Sequence, residues 1–119
     1  MASDPIVITG YARTPMGGFQ GDFASLSAPQ LGSFAIKAAV ERSGLAPDQI
    51  EEVIMGNVLS AGQGQAPARQ ASIGAGIPHG TGCTTINKMC GSGMKAVMFA
   101  HDLLLAGTNT VMLAGGMES

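Results

Sequence analysis

Short apolar runs rich in β-branched residues alternate along the chain with longer segments of helical periodicity. Three of these runs are bounded by glycine or proline and predict strands at residues 6–9, 53–55 and 110–114. The segment 81–87 is ambiguous, but its two threonines and its isoleucine favour a strand within it. The pattern therefore predicts four strands.

The segments between these runs carry the start and stop signals of helices. Ser27 is followed three positions later by Gln30, which is the pattern of a capping box, and Pro29 suits the first turn. This helix is expected to run to about residue 42, with Gly44 as its terminator.

Two further helices follow from the same signals. One begins at Pro67 and ends near residues 76–78, and the other starts near Gly91 and ends before Gly107. The order β-α-β-α-β-α-β predicts an α/β fold with a mainly parallel sheet and right-handed crossovers.

The last helix is apolar on every side, since only Lys95, His101 and Asp102 within it are strongly polar. A helix of this kind is normally buried. Its N-terminus is therefore expected to point into the protein or into a cleft, with Cys90 at that end.

The composition changes the picture of the surface. Charged residues make up only 12% of the 119 residues, and apolar residues make up 45%. Because surfaces are normally rich in charge, we expect a partner chain or another part of the same chain to cover this one. The net charge of −2 argues against nucleic-acid binding. No signal peptide and no membrane span is evident.

Cys83 and Cys90 lack the C-x-x-C spacing of zinc sites and redox pairs, which favours a reducing, cytoplasmic location. Cys90 lies directly before Gly91-Ser92-Gly93, at the mouth of the last helix. The helix dipole and the free amides of the first turn favour an anion there, and a thiolate is such an anion. This pattern is typical of a nucleophilic cysteine.

A base is expected beside the sulfur. A free thiol is only a few per cent ionised at neutral pH, and a helix dipole supplies only about 0.3–2 kcal/mol. His101 lies eleven residues along the same helix, about 16 Å away at 1.5 Å per residue. His79 lies in a Pro-Gly loop. Either His79 is the base, or the base lies outside this chain.

The ordered motifs of the chain resemble the N-terminal part of a thiolase, nearest to the acetyl-CoA acetyltransferase branch. One departure is Ala66, where the family often has asparagine, so an expected N-cap of the second helix is missing. The matching motifs cover almost the whole chain and are Arg13-Thr14-Pro15, Gly56-Asn57-Val58-Leu59, Gly62-x-Gly64-Gln65, Pro67-x-Arg69-Gln70, Ala75-Gly76-Ile77-Pro78, Asn87-x-x-Cys90-Gly91-Ser92-Gly93-Met94-Lys95-Ala96 and Ala114-Gly115-Gly116-Met117-Glu118-Ser119.

The resemblance implies that Cys90 takes the acyl group as a thioester, which a second, deprotonated acetyl-CoA attacks to give acetoacetyl-CoA. The reverse reaction is thiolysis. The activating histidine, a second cysteine and most of the coenzyme A surface would come from later segments of the same subunit. Residues 1–119 would then be an incomplete N-terminal domain that is inactive by itself. The family also implies coenzyme A thioesters as substrates, no other cofactor, no metal, and a homodimer or homotetramer.

Other interpretations are weaker. Cys83 is expected to be structural, Arg69 to form a surface ion pair rather than a coenzyme A contact, and Glu118 to stabilise a turn. The alternative functions are a non-catalytic thiolase-like protein that binds acyl-CoA or lipid, a 3-ketoacyl-CoA thiolase of broader chain length, and a redox sensor that uses both cysteines.

Overall fold

Three parallel strands form the sheet of this computed structural model, which describes residues 5–119. The strands lie in the spatial order β2-β1-β3 and are β1 (Glu52–Gly56), β2 (Gly82–Ile86) and β3 (Met112–Gly116). The helices of the same residues are α1 (Ala28–Ser43), α2 (Pro67–Gly74) and α3 (Ser92–Leu105), with a short 3-10 turn at Pro47–Gln49. The predicted α/β class and parallel sheet are confirmed.

The central strand β1 pairs with both neighbours over its full length. Gly56, its last residue, lies opposite Ile86 of β2 and Gly116 of β3. Because all three strands run in the same direction, their carboxyl ends meet at one edge of the sheet. The loop that carries Cys90 leaves from this edge, directly after β2.

The sheet is covered on both faces. Helices α1 and α2 pack together on one face, and α3 packs against β1 and β3 on the other. The main core lies between α1, α2 and the sheet and consists of Ala28, Ile36, Val40, Ile50, Val53, Met55, Ala68, Ala71, Ile77 and Met117.

Helix α1 has the ends that its sequence predicts. The backbone N–H of Gln30 donates to Ser27 Oγ at 3.3 Å, and Gln30 Oε1 accepts from the N–H of Ser27 at 2.8 Å. Gly44 ends the helix with φ 75°, in the left-handed region that glycine tolerates. Local signals are therefore enough to fix this helix.

The predicted strand at residues 6–9 is wrong. A strand needs a ladder partner, and in the described part of the chain the ladder of β3 is shared with β1 alone. Val7 and Ile8 are 72% and 77% exposed. The following Gly10 passes so close to α1 that an added Cβ would lie 2.5 Å from the Ala39 carbonyl oxygen.

The prediction that α3 is buried holds for one face only. Ser92, Ala96 and Ala100, spaced four residues apart, are buried against the sheet. Other faces of the helix are more exposed, and Met94 and Met98 are 72% and 51% exposed. None of the helices formed by residues 5–119 is both long and apolar enough to cross a membrane.

Strand β3 begins two residues later than predicted. The backbone N–H groups of Thr110 and Val111 donate to Glu51 Oε1 at 2.7 and 2.8 Å. This carboxylate holds the two residues in a turn, so the ladder starts at Met112 and extends through both glycines to Gly116.

Ala66, directly before α2, has a left-handed backbone with φ 49° and ψ 67°, and its side chain caps nothing. The predicted absence of a side-chain N-cap at Ala66 therefore agrees with the structure. Because N-cap residues typically have extended backbone, the left-handed conformation is a second property of this position. Asparagine is one of the few non-glycine residues that tolerate the left-handed region. This tolerance explains why asparagine would suit the position.

We expect Ala66→Asn to raise the free energy of unfolding by about 0.5–1 kcal/mol, because it relieves part of the left-handed penalty. Urea unfolding of the protein measures the change. Ala106→Asn is the matched control, since Ala106 is exposed but has a right-handed backbone with φ −73°. Equal effects of the two substitutions would contradict this explanation.

Candidate active site

The N-terminus of α3 lies directly on the carboxyl ends of β1 and β3. A Cβ added to Gly56 would lie 2.5–2.8 Å from backbone and side-chain atoms of Ser92 and Gly93. A Cβ added to Gly116 would lie 3.0 Å from the Cα of Gly93. Only glycine therefore allows this approach, which fixes the start of α3 relative to the sheet.

The loop from Asn87 to Ser92 is held by its own hydrogen bonds. Ser92 Oγ accepts from the N–H of Lys88 at 2.8 Å and donates to the carbonyl oxygen of Met89 at 2.6 Å. Asn87 Oδ1 accepts from the N–H of Met89 at 2.9 Å. Met89 itself has a left-handed backbone with φ 49°. This tight turn sets the position of Cys90, the next residue.

Cys90 is exposed and carries a free thiol. It precedes Gly91, the N-cap of α3, which has no side-chain cap. The N–H groups of Gly91 and Ser92 donate to the carbonyl oxygens of Lys88 and Met89, and Lys88 and Cys90 form an isolated backbone bridge. The exposed sulfur is open to a reactant, and it lies at the positive end of the α3 dipole, which favours negative charge.

Neither histidine of the chain reaches Cys90. His79 precedes β2 and Cys90 follows it, so the strand separates them by about 13 Å at 3.3 Å per residue. His101 lies far along α3, where its Nδ1 is 3.4 Å from Asp102 Oδ1. This separation argues against His79 as the base.

Glu118 and Asn57 form a hydrogen-bond network at the same edge of the sheet. The sequence predicted only that Glu118 stabilises a turn. Glu118 accepts hydrogen bonds of 2.8–3.0 Å from the Asn57 side chain and from the N–H groups of Val58 and Leu59. Asn57, which is buried, also donates to the carbonyl oxygen of Met117 at 3.0 Å. The turn-stabilising role expected of Glu118 is confirmed.

The partner of Glu118 could not be found by spacing, because the two residues are far apart in sequence. The sequence did offer one signal for this contact. Asn57 and Glu118 each follow a strand that ends in glycine, at Gly56 and Gly116. Asn57 Oδ1 is buried and accepts no hydrogen bond within the described residues.

Cys83 and Arg69 lie away from Cys90. Cys83, half-buried near the start of β2, donates its thiol to the carbonyl oxygen of Thr81 at 3.4 Å. The strand between the cysteines keeps them apart, which argues against the redox-sensor alternative. Arg69 donates to the carbonyl oxygen of His79 at 2.9 Å, so the expected ion pair is wrong. Within residues 5–119 no group of three acidic, cysteine or histidine side chains could hold a metal ion.

A parallel α/β sheet with an exposed cysteine at the mouth of the following helix agrees with the thiolase resemblance of the motifs. The family model described as "Thiolase, N-terminal domain" matches residues 6–119. The chain therefore belongs to the thiolase family, as its motifs predicted.

Several similar proteins are named as acetyl-CoA acetyltransferases, which is one branch of the thiolase family. The chain is 61% identical over 114 residues to acetyl-CoA acetyltransferase B, mitochondrial, of Xenopus laevis, a match that covers 96% of this chain and 27% of that protein. It is also 59% identical to acetyl-CoA acetyltransferase 2 of Arabidopsis thaliana. This match covers 96% of this chain and 28% of that protein. The chain thus spans about a quarter of the length of these relatives.

A solved structure also places the chain among the thiolases. The crystal structure of Acat5 thiolase from Ascaris suum in complex with coenzyme A matches with a TM-score of 0.92 and 46% identity. The match covers 94% of this chain and 29% of that one. The fold described above is therefore a thiolase fold.

The expected cytoplasmic location is contradicted. The relative from Xenopus laevis and those from Xenopus tropicalis and Bos taurus are named as mitochondrial acetyl-CoA acetyltransferases. Two free cysteines indicate a reducing environment but do not identify the compartment.

We expect Gly56→Ala to lower the free energy of unfolding by about 1–3 kcal/mol, because the new methyl group overlaps the first turn of α3. It should also slow the alkylation of Cys90 by iodoacetamide, since that turn carries the cysteine. Chemical unfolding and the mass of the alkylated peptide measure the two effects.

Gly82→Ala is the matched control for this substitution. Gly82 begins β2 and has no atom within 4 Å of an added Cβ, so we expect stability and alkylation to stay near wild type. An equal response of both variants would show that the contact between Gly56 and α3 does not position Cys90.

Proposed function

We propose that this chain forms the nucleophile-bearing part of an acetyl-CoA acetyltransferase. The enzyme would condense two molecules of acetyl-CoA to acetoacetyl-CoA and coenzyme A, or catalyse the reverse thiolysis. The observation that carries the proposal is the exposed sulfur of Cys90 at the N-terminus of α3, on strand ends made of glycine. The names of the relatives support acetyl-CoA as the substrate.

In the first half-reaction the Cys90 thiolate attacks the carbonyl carbon of acetyl-CoA. The carbon–sulfur bond to coenzyme A then breaks, and coenzyme A leaves as a thiolate that takes up a proton. The acetyl group remains on Cys90 as a thioester. The N–H of Cys90, at the N-terminus of α3, can donate to the oxyanion that forms in between.

In the second half-reaction a base removes a proton from the α-carbon of another acetyl-CoA. The resulting carbanion attacks the thioester carbonyl, a carbon–carbon bond forms, and the Cys90 thiolate leaves. The proposal requires no cofactor other than the coenzyme A thioesters. His79 and His101 are too distant to serve as the base for Cys90, so another segment of the subunit supplies it.

The exposed apolar surface supports the need for further protein. Met94 and Met98 on α3 are exposed, and Met16 and Phe19 in the loop before α1 are 88% and 95% exposed. Large exposed apolar patches mark interaction sites between proteins. We therefore propose that the rest of the same subunit and a second copy, in a homodimer or homotetramer, cover them, and that the assembly is mitochondrial like several relatives.

The full-length protein, incubated with radiolabelled acetyl-CoA, should carry the acetyl label on the peptide that contains Cys90. Cys90→Ala should remove the label and lower condensation at least about 10³-fold, because the covalent route is lost. Peptide mass spectrometry and the release of coenzyme A measure the two outcomes.

Cys83→Ala is the matched control, because Cys83 is the chain's other thiol and lies near the opposite end of β2. It should keep both label and turnover. Binding of acetyl-CoA without any label on Cys90 would contradict the proposal and favour a non-catalytic binding protein. Turnover of longer 3-ketoacyl-CoA esters at equal rate would assign a broader thiolase.

A further inference from the structure

We propose that Ser92 is a positioning residue for Cys90, an inference that rests on the proposed function. Ser92 is the first residue of α3 and only 5% exposed. Its Oγ accepts from the N–H of Lys88 at 2.8 Å and donates to the carbonyl oxygen of Met89 at 2.6 Å. One hydroxyl group thus bonds to both residues that directly precede the nucleophile and holds them in the turn.

The turn needs this support because of Met89. A non-glycine residue rarely adopts φ 49°, and such a conformation persists only where its surroundings hold it. The carbonyl oxygen of Met89 accepts from both the N–H and the hydroxyl of Ser92, at 3.0 and 2.6 Å. If the hydroxyl is lost, Met89 can rotate toward an ordinary conformation, and this rotation would move the backbone of Cys90.

The sheet in turn fixes Ser92. A Cβ added to Gly56 would lie only 2.6 Å from the Cβ of Ser92, so the two residues are in close contact. The end of β1 therefore holds Ser92 in place, Ser92 holds the backbone of Met89, and Met89 sets the position of Cys90. Alanine at position 92 keeps the Cβ contact and removes only the hydroxyl group.

Ser43 provides an unusually close control. Its Oγ donates to the carbonyl oxygen of Val40 at 2.6 Å and accepts from the N–H of Leu45 at 3.1 Å, at the end of α1. Ser43→Ala thus removes the same two kinds of hydrogen bond as Ser92→Ala. It does so on the opposite face of the sheet from α3, away from Cys90.

The experiment compares both variants in the full-length enzyme. For Ser92→Ala we expect kcat to fall about 10- to 100-fold with KM changed less than about threefold, since a small displacement of a nucleophile slows chemistry strongly. Alkylation of Cys90 by iodoacetamide should slow in parallel. Ser43→Ala should stay within about twofold of wild type in both assays.

A second substitution tests the role of Met89 directly. Asparagine tolerates the left-handed region, and Met89 is 66% exposed. Met89→Asn introduced into the Ser92→Ala variant should therefore restore at least about a third of the lost alkylation rate. If Ser92→Ala does not fold, Asn87→Ala removes another support of Met89 and should slow alkylation in the same way.

The outcomes separate this inference from the proposed function. Equal losses in Ser92→Ala and Ser43→Ala, or a failure of Met89→Asn to restore the rate, would overturn the positioning role. If Ser92→Ala does not fold and Asn87→Ala is used in its place, an unchanged alkylation rate in Asn87→Ala would also overturn the positioning role. A wild-type enzyme that never becomes acetylated on Cys90 would instead refute the proposed function, whatever the variants do.

Discussion

The close contact between the start of α3 and the glycine ends of β1 and β3 is the constraint on which the rest of the site depends. Gly56 and Gly116 lie side by side in the ladder, and the backbone of Ser92 and Gly93 rests on them. Side chains at these two positions would push the helix away from the sheet. The absence of two Cβ atoms therefore determines where the positive end of the helix, and with it Cys90, is placed.

The same edge of the sheet collects the remaining polar contacts of the site. Asn57 and Glu118 connect the residues that follow β1 with those that follow β3, and Ser92 connects α3 with the turn that follows β2. Three separate parts of the sequence are thus tied together at the edge of the sheet from which the loop with Cys90 leaves. A nucleophile needs such rigid support, because small displacements from the reactive geometry reduce the rate strongly.

Local chemistry made much of this fold predictable from the sequence. The capping box of Ser27 and Gln30 and the terminating Gly44 fixed α1, and the glycines after Cys90 predicted the helix that starts there. Features that depend on distant segments were not predictable. Residues 6–9 have the composition of a strand but lie outside the three-stranded sheet of the described residues, and the link between Asn57 and Glu118 exists only once β1 and β3 have paired.

The central claim is that Cys90 accepts an acetyl group while its own amide stabilises the oxyanion. A crystal structure of the full-length enzyme, frozen during turnover with acetyl-CoA, tests this claim most directly. We predict an acetyl group bound to the Cys90 sulfur, with its carbonyl oxygen about 2.7–3.1 Å from the N–H nitrogen of Cys90. An unmodified sulfur under conditions of turnover, or a carbonyl oxygen turned away from that amide, would contradict the account.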